Sequence, residues 1–407
     1  MPPSTPAGTA PSTLQTRHIL ATARGGGVLA AGSAFEFASR FLIALLLARL
    51  LGVQDYGLYV LSIGAATVFA GIALLGLDDA MVRYVAILSG RKDGPGVWGT
   101  MQIGIVVSAL AGLLMAGVLF VGARPFAEGI FHEPRLTSLL HLCAVIVPFL
   151  VISNVLAGIA RGFRRMDYVA FAENVVMSLV RLALLAGLAI WGKLSLTAAL
   201  VVFGISDVAA TVTLIVLLNR RFPLRRPLRR EVRRDPKEIF RFAGPLWLTG
   251  LLRQFSRNIE AMLLGALKTI SSAGIFSIVD KVNLVGHISL LSILSSVQPI
   301  LAQLHDQRDR GALRGLYSAA TRWTFALNIP FFLVMVLYPR AILAVFGDAF
   351  VTGSTALVIV AFAELANAGT GICGPMIDMT GHTRVKLANA FLTSALHVAC
   401  RSRRLVR

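Results

Sequence analysis

LLGVQDYGLYVLS, residues 50–62, sets two glycines, an acid, an amide and two tyrosines between runs of nearly unbroken apolar side chain. On one side lies FLIALLLAR, residues 41–49; on the other IGAATVFAGIALLG, residues 63–76. The pattern predicts a tight hairpin joining two membrane helices. Gly52 ends the first helix, Asp55 adds no positive charge to the turn, and Gly57 permits close re-entry. Tyr56 and Tyr59 are expected as anchors at the membrane–water interface.

The rest of the chain fits that reading. Of 407 residues, 56% are hydrophobic and 14% charged, with a mean hydropathy of +0.75, more apolar side chain than a soluble fold buries. Stretches of about 18–25 apolar residues match the length a helix needs to cross roughly 30 Å of hydrocarbon. Alternating ten-residue patterns are absent, which argues against a β-barrel. The expected fold is an all-α polytopic membrane protein with about 11 helices, near 27–50, 59–76, 98–122, 138–159, 169–191, 195–218, 243–266, 273–303, 320–339, 353–372 and 385–400.

The net charge of +19 does not form one continuous basic face, so nucleic acid is not an expected partner. With the N-terminus cytoplasmic, the loops on that side collect about 24 Lys and Arg against about 5 on the other. The clearest basic loop is NRRFPLRRPLRREVRRDPKEIFR, residues 219–241, read as a cytoplasmic linker able to meet anionic headgroups. Residues 1–25, rich in Pro, Ser, Thr and Ala, read as a disordered cytoplasmic tail without a signal-peptide core. Cys143, Cys373 and Cys400 have no metal-ligand spacing.

The linker divides the chain into an N-terminal six-helix lobe, 26–218, and an incomplete C-terminal lobe, 242–407. LIALLLARLLGVQDYGLYVLS, 42–62, is echoed by IEAMLLGALKTISSAGIFSIV, 259–279. Pairing Gly52 with Gly265 pairs Arg40 with Arg253; after a four-residue insertion, Gly57 pairs with Gly274 and Tyr59 with Phe276. The expectation is two parallel repeats of six helices with a transport cavity between them. An eleventh helix would leave ACRSRRLVR outside against the charge rule, so the second repeat reads as truncated.

LLARLLGVQDYGLY (46–59), GLDDAMVRYVA (76–86) and GIARGFRRMDYVAFAENVV (158–176) carry a family resemblance in the first half. In the second half GIFSIVDKVNLV (274–285), LAQLHDQRDRGALRGLYSAATRW (301–323) and MTGHTRVKLANAFL (379–392) carry it. The chain resembles the polysaccharide-export branch of the multidrug/oligosaccharidyl-lipid/polysaccharide flippase superfamily, the Wzx-type lipid-linked oligosaccharide flippases. The resemblance spans about 26–392 and departs at Val53, where proline is usual, and in the missing final helices. It implies alternating access in a bacterial inner membrane and a polyprenyl-pyrophosphate-linked oligosaccharide as cargo. Membrane lipids, a polysaccharide polymerase and glycosyltransferases are the other implied partners.

No catalytic triad, Walker loop, HExxH or paired-metal motif is present, so neither an enzyme nor a cofactor is expected. Ionisable residues inside apolar segments are the informative positions, because each costs about 2.5–3.5 kcal/mol to insert. Arg40, Arg253, Arg257 and Lys281 lie at comparable depth and give a cavity a cationic wall suited to a pyrophosphate headgroup. The alternative is local pairing, Glu36 with Arg40 and Arg257 with Glu260. Asp280 sits beside Lys281. Arg181 and Asp207 are expected to pair across adjacent helices, and Glu364 is a candidate for ion coupling or a neutral packing group. Two other readings stay open: a multidrug or organic-cation antiporter of the same superfamily, and a non-transporting scaffold of envelope assembly.

Overall fold

The computed structural model describes residues 13–221, 236–284, 297, 309–370 and 373. Among the described residues there is no strand, and the all-α membrane class holds. Helix α1 spans Thr13–Leu74, α2 Leu77–Gly90, α3 Gly94–Gly129, α4 Arg135–Gly162, α5 Met166–Ile190 and α6 Leu196–Arg221. Then come α7 Pro236–Leu267, α8 over 270–284, α9 Arg310–Leu337, α10 Pro339–Ala344, a 3-10 turn Asp348–Gly353 and α11 Ser354–Thr370. Seven stretches among the described residues are long and apolar enough to cross a membrane.

Several expected boundaries move, each for a local reason. The hairpin at 50–62 is not a loop: one residue, Gly52 at φ 77 and ψ 173, breaks an otherwise continuous helical run. A single residue in that conformation suffices to redirect the backbone, and glycine adopts it without a Cβ penalty. GLDDAMVRYVA, outside every expected helix, forms α2; Gly76 at φ 72 stops the preceding helix, and Asp78 and Asp79 occupy the first turn, where acids complement the helix dipole. Helix α9 starts at Arg310, ten residues before the expected start at 320, because the side chain of the N-cap Asp309 accepts the Ala312 amide at 2.9 Å. The described chain is helical from Thr13, so residues 13–25 of the expected tail lie in α1; no proline follows Pro11 there, and leucine, isoleucine and alanine favour helix. Residues 1–12, 222–235 of the linker and the expected helix at 385–400, with the truncation read from it, lie outside the described residues.

The chain groups into two compact units, each drawing on both sides of the basic linker. Unit 1 holds the chain up to Ile43, Phe69–Val121 and His141–Leu251; unit 2 holds Ala44–Val68, Gly122–Leu140 and the chain from Leu252 onward. In unit 1, Leu77, Met81 and Val85 of α2 pack with Val155 and Ile159 of α4, Leu214 and Leu218 of α6, and Ile239 and Ala243 of α7. The GIARG pair, Gly158 and Gly162, lets α4 approach α2. A Cβ at Gly158 would strike the Asp78 carbonyl, and one at Gly162 would lie 2.8 Å from Val85 Cβ. This is the small-xxx-small route to close helix packing in a membrane. Helix α3 turns Val106, Leu110, Leu113 and Leu114 outward, a stripe suited to lipid.

In unit 2, α1 and α8 meet through glycines. A Cβ at Gly57 would fall on the Ile270 carbonyl and 2.9 Å from Ile270 Cγ2; one at Gly274 would lie 2.7 Å from the Val53 oxygen and 3.1 Å from Gly57 Cα. Gly57→Ala or Gly274→Ala is therefore expected to destabilise the folded protein by about 1–3 kcal/mol through overpacking. Gly52→Ala faces open space and costs about 1–3 kcal/mol by backbone strain alone, because φ 77 with ψ 173 is a region essentially reserved for glycine. Thermal unfolding of the detergent-solubilised protein checks both. Wild-type melting of Gly57→Ala would refute the close contact.

Candidate functional site

In unit 2 the segment around Gly57 packs against α8. Tyr56 is 1% exposed, with its ring edge-to-face on Phe350 at 6.0 Å and beside Tyr59 at 6.3 Å. Both tyrosines are core residues, not the interface anchors expected from sequence; the tight α1–α8 crossing turns them inward. Lys281, on α8, donates to Ser277 Oγ at 2.7 Å and lies 5.8 Å from the Tyr56 ring centroid. Its ammonium is held by its own helix one turn back.

The other expected headgroup residues are distributed unevenly. Arg40 is exposed, while the side chains of Glu36, Arg253 and Arg257 lie outside the described residues. Next to Arg257, Asn258 reaches α1: its Nδ2 donates to Gln254 O at 3.2 Å and to Thr67 Oγ1 at 3.4 Å. Glu260 is half-buried and Asp280 exposed.

In unit 1, Arg181 of α5 donates its Nε to Ser206 Oγ of α6 at 2.9 Å and stacks on Phe203 with its guanidinium carbon 4.5 Å from the ring centroid. The adjacent Asp207 is 6% exposed and its Oδ2 has no hydrogen-bond partner. The two helices are neighbours, as expected. Arg181 thus meets a hydroxyl and an aromatic face, and its charge also acts on the Asp207 carboxyl.

Glu364 of α11 is buried, at 7% exposure. The Tyr317 hydroxyl donates to the Thr370 carbonyl at 2.6 Å, Phe325 carbons lie 3.7 Å from a Cβ at Gly369, and Phe332 meets Phe362 edge-to-face at 4.9 Å. Numbers rise along α9 as they fall along α11, so the helices run antiparallel and Asn328 falls within about one turn of Glu364's level. Asn328 is fully buried, and neither its Nδ2 nor its Oδ1 has a hydrogen-bond partner. The sequence reading missed it because one Asn in an apolar run carries no charge. Its place on the buried stripe Ala320, Thr324, Asn328 and Met335 was the available signal.

Long-range polar contacts complete the picture and were invisible to local sequence. Arg135 pairs with Asp55 at 2.9 Å, and Arg49 Nε donates to the Val345 carbonyl at 2.6 Å. In unit 1, the Tyr84 hydroxyl donates to the Glu238 carbonyl at 3.2 Å, Arg83 stacks over Phe242 at 4.3 Å, and Trp247 Nε1 donates to Ile72 O at 3.1 Å. A cavity of about 530 Å³ opens in unit 2 among the turns that follow Gly52, α3 and α7. Among the described residues no cluster of ligands suits a metal.

The sequence profile described as "Polysaccharide biosynthesis protein" matches residues 22–305, more than half of the chain. The chain belongs to that family. It is 27% identical over 148 residues to "Stage V sporulation protein B" of Bacillus subtilis (strain 168), an alignment covering 36% of this chain and 28% of that protein. The chain thus spans well under two thirds of that relative's length.

Its fold matches an inward-facing multidrug resistance MATE family transporter of the MOP superfamily with a TM-score of 0.66 at 16% identity, covering 87% of this chain and 83% of that one. A MOP superfamily transporter from Pyrococcus furiosus Vc1 (DSM3638) matches with a TM-score of 0.53 at 14% identity, covering 92% and 94%. These likenesses show the fold, and with seven long apolar stretches among the described residues this is a multi-pass membrane protein.

Asp78 lies outside the seven apolar spans, at the start of α2. Burial raises its carboxyl above the ordinary 3.8, and the neighbouring Asp79 adds to the shift. The ionised form is the disfavoured one in the fold, so this group lowers stability above its folded pKa, and the penalty fades as pH falls towards 3.8. Asp78→Asn should therefore melt higher than wild type at pH 7, with the difference shrinking in acid. A pH series of thermal melts checks it, and a lower melt at pH 7 would contradict it.

Proposed function

We propose that the chain is a flippase that carries a polyprenyl-pyrophosphate-linked oligosaccharide from the cytoplasmic to the outer leaflet of a bacterial inner membrane. The match of the polysaccharide biosynthesis family across residues 22–305 carries this reading. The transporter fold supports a mechanism of alternating access, in which two states expose one site to opposite sides. On this reading the N-terminus is cytoplasmic, the basic segment 219–241 is a cytoplasmic linker, and the chain forms two parallel six-helix repeats, 26–218 and 242–407. The mutual glycine contact supports the repeat: Gly57 abuts Ile270 while Gly274 abuts Val53, and the alignment pairs Gly57 with Gly274.

Arg40, Arg253 and Arg257 are assigned to the pyrophosphate, since a guanidinium fork matches phosphate oxygens and stays charged in a low dielectric. Lys281 contributes positive potential from its place on Ser277 without needing direct contact. Glu364 and Asn328 form the coupling element. A buried carboxylate near an unsatisfied amide is costly in hydrocarbon, and taking up a cation or proton in one access state relieves that cost. Polymerase and glycosyltransferases would act on the same cargo before and after it crosses.

Removing the gene from its native host should cause lipid-linked glycan to accumulate on the inner leaflet, and the intact chain should reverse it. Unchanged lipid-linked pools would favour the scaffold reading, and restored export of an organic cation alone would favour the antiporter. With expression matched, Arg40→Ala combined with Arg253→Ala should cut export about tenfold or more, with partial rescue by the Lys versions. Full export by the Ala pair would end the headgroup assignment. Glu364→Gln should remove the dependence of export on the pH gradient, and retained dependence would take Glu364 out of the coupling.

A further inference from the structure

The cavity of about 530 Å³ in unit 2 lies within the size range of small-molecule sites. Three turns build its wall: Gln54 just past the Gly52 break, Phe131, His132 and Glu133 between α3 and α4, and Lys268 and Thr269 between α7 and α8. Phe131 is 6% exposed and seated against Gly265, where a Cβ would come 3.3 Å from its ring; its neighbour Phe126 lies 5.3 Å away. The fold thus fixes an aromatic edge at the base.

Of the polar groups around it, Thr269 caps α8, its Oγ1 accepting the Ser272 amide at 3.2 Å, while Gln54, Glu133 and Lys268 line the cavity. Glu133 and Lys268 both line the cavity, and neither takes part in the ion pairs Arg124–Glu128, Arg135–Asp55 and Arg165–Asp167. Gln54 is exposed at the cavity. His132 holds a left-handed φ of 53, an uncommon conformation outside glycine that recurs at ligand clamps.

An amide, a carboxylate and an ammonium spaced around an apolar edge suit a ligand rich in vicinal hydroxyls, each able to donate and accept, with a C–H face for the ring. A lone Lys opposed by a carboxylate suits neither a phosphate nor a strongly anionic ligand. We propose that this cavity is a saccharide-binding subsite that receives the glycan part of the cargo, separate from the arginines assigned to its pyrophosphate. This rests on the exporter reading for the identity of the glycan's source, not for the chemistry of the cavity.

The test uses the purified full chain in detergent with cellotriose, mannotriose, chitotriose and inorganic pyrophosphate as probes, read by saturation-transfer NMR titration. At least one trisaccharide should bind. Glu133→Gln with Lys268→Met should weaken it about tenfold or more at unchanged melting temperature. Gln54→Trp, which fills the cavity from its rim, should block it in a protein that melts normally. Absence of binding by all three trisaccharides, binding unaffected in both variants, or displacement by pyrophosphate would overturn the proposal. The exporter reading fails separately, through unchanged lipid-linked pools in the gene-deleted host. If those pools rise while no trisaccharide binds, the cavity proposal fails alone.

Discussion

Helix α1 meets α8 backbone to backbone, and much of unit 2 depends on that approach. At Gly57 and Gly274 no side chain separates the helices, and a single methyl on either would occupy space held by the other's main chain. Lipid tails are as apolar as leucine, so a membrane bundle gains little from hydrophobic burial between helices and relies on close packing. Once the crossing is fixed, Tyr56 is pressed onto Phe350, Gly353 comes against Ile275, and Gly265 accepts Leu61 and Phe131. Gly52 supplies the redirection that lets α1 reach this crossing at all.

A second constraint is the cost of polar groups at membrane depth. Most are satisfied locally: Ser62, Thr211 and Thr324 each donate to the carbonyl one turn back. Among the buried polar atoms without a hydrogen-bond partner are both amide atoms of Asn328 and one carboxylate oxygen of Asp207. A protein that retains such costs in apolar helices commonly uses them, and a transporter has a specific use, a binding energy that differs between its two access states. Asp207 lies in unit 1 and Asn328 in unit 2.

Global properties were legible in the sequence because hydropathy and charge bias are sums over many residues. The membrane class, the helix-rich fold and the family resemblance all stand. The pairing of Gly57 with Gly274, read from a weak internal echo, marked the very residues that touch. What failed was local polarity taken as exposure. Tyr56 read as an interfacial anchor because its partner Phe350 is remote in sequence, and α2 was passed over because Asp78, Asp79 and Arg83 dilute its apolar face. Asn328 was silent, since an uncharged amide becomes informative only when its surroundings are known to be dry.

The central claim is that this chain moves a lipid-linked glycan across a bilayer. The direct measurement is reconstitution of the purified chain in liposomes loaded on one leaflet with polyprenyl-pyrophosphate oligosaccharide, reading the glycan on the opposite leaflet by lectin binding. The account predicts protein-dependent appearance of glycan outside, faster under an imposed ion gradient and slowed by excess pyrophosphate-linked competitor. Folded, membrane-inserted protein that leaves every glycan on its starting leaflet would contradict it.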